Sequence, residues 1–411
     1  MISRSAFLIV LAVAALGVPA ASAKSFGGVV RDLPTGAHVL HPPIAHLANL
    51  PYGGGEVLHA NRTWLIFWRP QGSGLAFDPG YAELIVRFLK QVAADSHKPT
   101  NIYSLSGQYR DAGGPAAYDS SYGGAVIDAD PLPSNGCSEQ APPPVGSATG
   151  WSVCLDDSQL QDEVRHVVAA DRLPNTSSDI YFLVTPNGLG SCENSGPSNC
   201  ALGGADDPGS YCGYHSASTD GRIVYAVIPY NAVPGHCQSG NPRPNSSTAD
   251  PTISTLSHEH NEMVTDPLGD AWIDGDGNED GDLCVTSFGP PLGGAGLGAF
   301  NESIHGGHYY LQEEWSNDDG GCEGRDEADP ISFTVGRRPA KRRTVTFTAH
   351  ASDPDGSIVE YGWFFGDGRT GHARRIEHLF RRAGTYRVVL RTTDSAENWA
   401  YYVRTVKVTR R

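Results

Sequence analysis

The residues of this sequence best placed to do chemistry are His258 and Glu262, four apart, with Glu259 between them. They lie in the stretch 254–267, Ser-Thr-Leu-Ser-His-Glu-His-Asn-Glu-Met-Val-Thr-Asp-Pro. On a helix, residues i and i+4 share a face with Cβ atoms about 5–6 Å apart, so an imidazole and a carboxylate there can hold one divalent cation. Glu259 lies about 100° round the axis, where it can take a proton from a water placed by the other two. Boundary signals support the helix: Asp250 as N-cap, Pro251 at the first helical position, and Asp266-Pro267 as the stop. His260 lies about 200° from His258 and addresses another face.

This stretch resembles the HExxH helix of the zincin metallopeptidases, with Glu262 in place of the second histidine. The resemblance implies zinc, with Glu259 as general base and His258 and Glu262 as ligands. An added carboxylate neutralises the cation and weakens its Lewis acidity, and a bare HExxE also recurs on solvated helices. A third ligand is sought in Trp272-Ile-Asp-Gly-Asp-Gly-Asn-Glu-Asp-Gly-Asp-Leu-Cys284. One arrangement makes Glu279 that ligand and leaves a position open for water. The other makes Asp276, Asn278 and Asp280 before Gly281 a calcium turn, with Asp282 binding calcium or supporting a metal ligand. Position 12 of such a loop is Ser287 rather than Glu, so it is no full EF-hand. The plainest reading is an acidic, solvated hairpin closed by a Cys284 bridge.

Other candidates lie in Ile304-His-Gly-Gly-His-Tyr-Tyr310. His305 and His308 can offer a metal ligand, and His308, Tyr309 or Tyr310 a transition-state donor, although histidine beside glycine is more often a surface residue. His215, in Tyr211-Cys-Gly-Tyr-His215, reads as structural, with a neighbouring cysteine whose bridge can bring it to a cleft.

The elements that must position these residues alternate. Thr63–Trp68 reads as a buried strand, and Asp78-Pro79 starts a helix with Leu84, Ile85, Phe88, Leu89 and Val92 on one face. Ile102–Leu105 and Ala125–Ile127 are short strand candidates. A second helix spans about Ser158–Ala170, and Ile180–Val184 and Ile223–Ile228 are continuous apolar strands. Strands alternating with helices predict an α/β or α+β layer. Long Gly/Pro/Ser/Cys loops at 111–156 and 187–220 look functional or disulfide-stapled.

Residues 1–23 read as an export signal, with Arg4, an apolar run Phe7–Val18 and Ala21-Ser22-Ala23. Residues 24–60 form an irregular lead-in or pro-like arm, and no later segment is apolar for long enough to span a bilayer. All eight cysteines fall between Cys137 and Cys322. With an export signal, an even number in one block predicts disulfides. Nearest-neighbour pairing, the simplest guess, joins Cys137 to Cys154, Cys192 to Cys200, Cys212 to Cys237 and Cys284 to Cys322. No CxxC occurs, which argues against a thiolate zinc site. The net charge of −16 hides an asymmetry: residues 331–411 hold 16 Lys and Arg against 7 Asp and Glu. That basic segment can steer the chain to anionic cell-surface polymers; nothing points to specific nucleic-acid binding.

From residue 331 only short strands recur. Asp353-Pro-Asp-Gly-Ser-Ile358, Tyr361-x-Trp363-x-Phe365-Gly-Asp-Gly368, His378-x-Phe380, Ala383-Gly-Thr-Tyr-Arg-Val388 and Thr393-Asp394 resemble the PKD domain family. That likeness implies an all-β immunoglobulin-like sandwich used for spacing or surface attachment. Residues 60–325 also resemble the plant EXORDIUM-like, phosphate-induced proteins. The resemblance lies in Ser257–Pro267, Trp272–Asp274, Glu279–Cys284 and Trp315–Asn317 before Cys322.

The expected chain is a zincin-like metal-binding domain over 61–328 followed by a PKD sandwich over 331–411. The expected function is exported, metal-dependent peptide hydrolysis, with a peptide or protein as substrate. The alternative is a non-catalytic extracellular surface or matrix protein with a structural metal.

Overall fold

The computed structural model describes residues 27–31 and 49–409, apart from 138–150, 152, 194–199, 202–210, 235, 286, 319, 326–331, 338–342, 353–356 and 395–398. The export signal expected at 1–23 lies outside the described residues. One six-stranded sheet organises residues up to about 325. Its strands are β1 (Gly27–Arg31), β2 (Asn61–Trp68), β3 (Ser120–Asp128), β5 (Asp179–Val184), β7 (Tyr211–Ala217) and β8 (Val224–Ile228). A separate two-stranded parallel ribbon joins β4 (Val153–Asp156) to β6 (Leu189–Cys192). The sheet order is β1-β7-β8-β5-β2-β3. β8, β5, β2 and β3 are parallel, whereas β7 runs antiparallel to β8 and β1 antiparallel to β7.

Strands β5 and β8 are buried along their whole length because both faces of the sheet are covered. On one face α1 (Tyr81–Ala94) and α3 (Ala249–Thr265) pack in a core with Leu65, Phe182 and Ala226. On the other, α2 (Asp157–Ala170) buries Leu160, Val164, Val167 and Val168 against Ile66, Tyr181 and Tyr225. Asp156 caps α2, accepting from Gln159 N at 3.1 Å while Gln159 Oε1 accepts from Asp156 N, a reciprocal capping box.

Four local expectations are corrected. Ile102–Leu105 is not a strand: Ile102–Gln108 forms a 3₁₀ helix whose first turn is capped by Asn101 Oδ1 accepting from Tyr103 N. A short buried apolar run has no period that separates the two. Helix α1 begins at Tyr81, after Gly80 with φ 78° has turned the chain, rather than at Asp78-Pro79. Asp250 sits inside the first turn of α3, and Thr248 holds the cap position. The Asp250 carboxylate instead reaches back to accept from Asn245 Nδ2 and Ser247 N, which still complements the helix dipole. Pro251 accordingly stands at the third helical position rather than the first. Within the arm 24–60, Gly27–Arg31 is a strand that extends the sheet beyond β7.

All eight cysteines are bridged to their nearest neighbours, as expected. Cys137 joins Cys154, Cys192 joins Cys200, Cys212 joins Cys237, and Cys284 joins Cys322. The first two bridges pack together in a small cluster with Trp151, which staples the long loops to the β4–β6 ribbon. The bridge from Cys212 to Cys237 ties β7 to the chain beyond β8, and that from Cys284 to Cys322 closes the acidic loop. The segment 332–408 is a two-layer sandwich with no cysteine. Strands 332–337, 344–350 and 375–379 form one sheet, and 370–372, 358–364, 384–394 and 399–408 the other. Between the layers lie Phe333, Phe347, Trp363, Phe365 and Phe380, with Tyr361 partly buried against them. Reduction is therefore expected to lower the melting transition of the 49–325 unit, by about 2–4 kcal/mol per bridge, and to leave the sandwich transition unmoved. Differential scanning calorimetry of the whole chain with and without reductant checks this.

Candidate metal centre

Helix α3 supplies the centre because, unusually, it is buried along its whole length. One side faces the sheet and another faces the loop 274–284 and the strand Glu314–Ser316. The register of α3 directs His258 and Glu262 to that loop, and His258 Nε2 stands 3.0 Å from Glu262 Oε1. Neither His258 Nε2 nor Glu262 Oε2 has a hydrogen-bond partner. Two donor atoms that close without hydrogen-bond alignment match ligands of one ion, since bonds of about 2.0–2.1 Å at tetrahedral angles put ligands roughly 3.3 Å apart.

Two sets of donor atoms converge, each within 4.8 Å of one another: His258, Glu262 and Asp282, and His215, Glu262 and Glu279. Glu262 is common to both. Asp282 Oδ1 lies 3.7 Å from His258 Nε2, and Glu279 Oε1 lies 3.8 Å from His215 Nε2. Glu279, expected as a ligand beside His258, is thus grouped with His215 instead. Both of its carboxylate oxygens are buried without a partner. His215, read as structural from sequence, points from β7 into the cluster: its Nδ1 is 3.3 Å from Glu259 Oε2 and 3.5 Å from Glu262 Oε2. Its signal lay in the buried stretch Tyr211–His215, where a titratable side chain three residues after the bridged Cys212 has no solvent-facing side.

Charge makes the same case. Glu259, Glu262, Glu279, Asp280 and Glu314 are all at least 99 % buried, and among the described residues two imidazoles, His215 and His258, offset them. Burial raises Glu279, Asp282 and Glu314 well above the carboxylate range. Burial, with Glu262 adding to it, pushes Asp280 up to about 7. Burial likewise lifts Glu259 to about 7, against the pull of His215. Only Glu262 is held low, at about 2: burial raises it, but the attraction of the His258 and His215 imidazoles outweighs that. His215 is lifted to about 10 by Glu259 and Glu262 despite its burial. Mutually raised carboxyls around unpartnered oxygens are a site lacking positive charge. Two imidazoles among carboxylates suit zinc or a similar transition ion, whereas calcium takes oxygen ligands.

Surrounding groups orient the ligands. Gln312 Nε2 lies 2.9 Å from His258 Nδ1 and 2.7 Å from Gly281 O, while its Oε1 is buried and unpartnered. Gln312 thus fixes the His258 ring from its Nδ1 edge and leaves Nε2 turned to Glu262. Asp282 N donates to Glu262 Oε1 at 3.1 Å, Thr265 Oγ1 to Asp280 Oδ1 and Asn261 Nδ2 to Glu314 Oε1. Two glycines admit the cluster. A Cβ on Gly281 would stand 2.6 Å from the His258 ring, and one on Gly213 would stand 2.6 Å from Thr255 Cγ2 and 3.2 Å from Glu259 Oε1.

The calcium turn does not close. Asp276 and Asn278 are organised by Asp274, which accepts from both of their backbone N–H groups. Asp276 is exposed, while Asp280 is buried and Asp282 turns inward to α3. An alternating pattern needs a wrapped loop, and here a turn and a short 3₁₀ helix at Asp282–Cys284 send the side chains apart. Nor do the downstream donors reach the centre. His308 is exposed and stacked on Phe300 at 3.8 Å, and the Tyr309 hydroxyl donates to Gln91 on α1. His305 pairs with Asp95, and Tyr310 stacks on Phe288. His260 faces Asn61 on β2, its Nε2 3.0 Å from Asn61 Oδ1.

Comparison with known proteins places the sandwich. Residues 327–409 match the PKD domain family. The PKD1 domain of the Vibrio cholerae metalloprotease PrtV is 31 % identical, over 20 % of this chain and 96 % of that one, with a TM-score of 0.19. The PKD1 domain of Vibrio anguillarum Epp is 28 % identical, over 20 % and 94 %, also with a TM-score of 0.19. OgpA from Akkermansia muciniphila spans 89 % of this chain and 96 % of its own, but at 8 % identity and a TM-score of 0.19, which is too distant to inform the metal centre. The C-terminal fifth of the chain is a PKD domain, carried behind a disulfide-stapled α/β unit.

Proposed function

We propose that the 49–325 unit is an extracellular metal-dependent peptidase and that residues 27–31 hold it closed. The observation that carries the reading is the grouping of His258, Glu262, Asp282, His215 and Glu279 round Glu262, with donor atoms left unpartnered. A divalent cation bound there would polarise a scissile carbonyl and lower the pKa of a water. Glu259 is the group placed to move the proton. Its Oε1 has no partner, and its Oε2 is steadied 3.3 Å from His215 Nδ1. It would take a proton from the attacking water and return it to the leaving amine. Four disulfides and the PKD domain support an extracellular setting. Among the described residues no helix is long and apolar enough to cross a membrane. The basic sandwich would then attach the enzyme to anionic polymer, and its affinity should fall as salt screens it.

Closure is the second half of the reading. His258, Glu259, Glu262 and Glu279 are all 0 % exposed. Strand β1 pairs antiparallel with β7, the strand of His215, and lies against α3 and the Asp282–Cys284 turn. Without β1, β7 would be a free edge with unpaired N–H and C=O groups, which an extended peptide can join as a further strand. The arm would therefore occupy the position a substrate backbone needs. The same burial favours the alternative of a structural metal in a non-catalytic surface protein.

Cleaving or deleting residues 24–48 separates the two. In the peptidase reading, the zinc-loaded chain without the arm hydrolyses members of a broad peptide library, and the full chain is at least about tenfold slower, the floor expected if the arm is displaced in under a tenth of molecules. A zinc-loaded, arm-free chain that cleaves nothing would leave the structural reading standing.

A further inference from the structure

The face of the sheet remote from the metal centre carries a second group of acids. Asp128 ends β3, Asp130 follows it, and Glu163 comes from the second turn of α2. One carboxylate oxygen from each lies within 4.8 Å of the others. Asp128 is 6 % exposed, yet its Oδ2 has no hydrogen-bond partner, and neither has the buried Oε1 of the half-buried Glu163. Two carboxylates are thus brought face to face with no donor between them. The backbone holds them there. Asp128 O accepts from Arg69 N at 2.8 Å, Asp128 Oδ1 accepts from Asp130 N at 2.9 Å, and Trp68 Nε1 donates to Asp130 O at 2.9 Å. Among the described residues, the basic side chain paired with the group is His166, one turn on from Glu163, whose Nε2 lies 3.0 Å from Asp130 Oδ2. It leaves the Asp128–Glu163 contact uncompensated. Burial and Asp128 together push the Glu163 carboxyl up to about 8, in keeping with missing positive charge.

We propose that Asp128, Asp130 and Glu163 bind a calcium ion that ties the end of β3 to α2. All three donors are hard oxygens with no imidazole between them, unlike the donors around His258. Three carboxylates on a partly open surface suit the weak, roughly 10⁻⁴–10⁻³ M affinities of extracellular calcium modules. The proposal does not rest on peptidase activity, because the site lies across the sheet from α3.

The test is the melting temperature of the full chain, first treated with EGTA and then titrated with calcium chloride to several millimolar. Wild type should gain several degrees, and magnesium should give much less. Glu163→Gln and Asp128→Asn should each lose most of the calcium gain, whereas Asp276→Ala, in the other acidic loop, and His258→Ala should keep it. A wild type that calcium leaves unmoved overturns the proposal, as does a full gain in Glu163→Gln and Asp128→Asn. A carboxyl pair sharing a proton is the competing explanation. Its folded pKa is raised, so its stability is present at low pH and is lost as pH rises from about 4.5 to about 8. A melting temperature that falls over that range in wild type but not in Glu163→Gln, with no calcium response, would establish that explanation instead.

Discussion

Glu259→Gln is expected to fold, bind metal as wild type does, and lose about 10²–10⁴-fold in peptide hydrolysis by the arm-free chain. Glutamine keeps the size and one carbonyl oxygen of the side chain but cannot accept the proton. The swap suits the site because the side chain keeps its volume where Gly213 approaches Glu259 Oε1, a Cβ there standing only 3.2 Å away, and His215 steadies the other oxygen. Steady-state kinetics beside metal analysis reads the outcome. If metal content is retained and the rate is unchanged, Glu259 is not the base. If metal is lost as well, it belongs among the ligands.

The second large effect is on stability. Several buried carboxyl groups share this centre with two histidines, so removing a bound dication leaves them repelling one another in a poorly solvated pocket. By linkage, metal at a thousand times its Kd contributes about 4 kcal/mol, which for a unit of this size is roughly 10 °C in Tm. A zinc chelator should lower the transition of the 49–325 unit by about that amount and leave the PKD transition alone. His258→Ala and Glu262→Ala should melt near the chelated value and ignore added zinc. Equal melting of loaded and chelated wild type would show that the cluster is held by shared protons rather than by an ion.

What was legible in the sequence follows from the range of the interactions involved. The helix of His258, Glu259 and Glu262 was readable because i, i+4 geometry is local. The disulfide pairing matches the simplest guess, neighbour with neighbour along the chain, although spacing alone fixes no connectivity. The PKD strands were readable because Trp363 and Phe365 alternate with their neighbours and are followed by a tight Gly-Asp-Gly turn. Long-range convergence was less accessible. His215 reaches the centre only because β7 runs antiparallel beside β8 and beneath α3, a consequence of sheet order that no local pattern encodes. Asp282 joins His258 because the chain turns at Gly281, where any side chain would meet the imidazole. The alternating oxygen ligands Asp276, Asn278 and Asp280 looked like one site because spacing alone does not say which way a loop curls. Asn101 converted an apolar run into a 3₁₀ turn through a single cap, and a short hydrophobic stretch gives no warning of that.

Elemental analysis of the full chain, purified without added metal or chelator and then equilibrated with a slight excess of zinc, should find one tightly held zinc per chain at the α3 centre. That zinc should be absent from both His258→Ala and Glu262→Ala and retained in Asp276→Ala. Zinc that washes out of wild type, or binds equally in His258→Ala, would contradict a metal centre on α3.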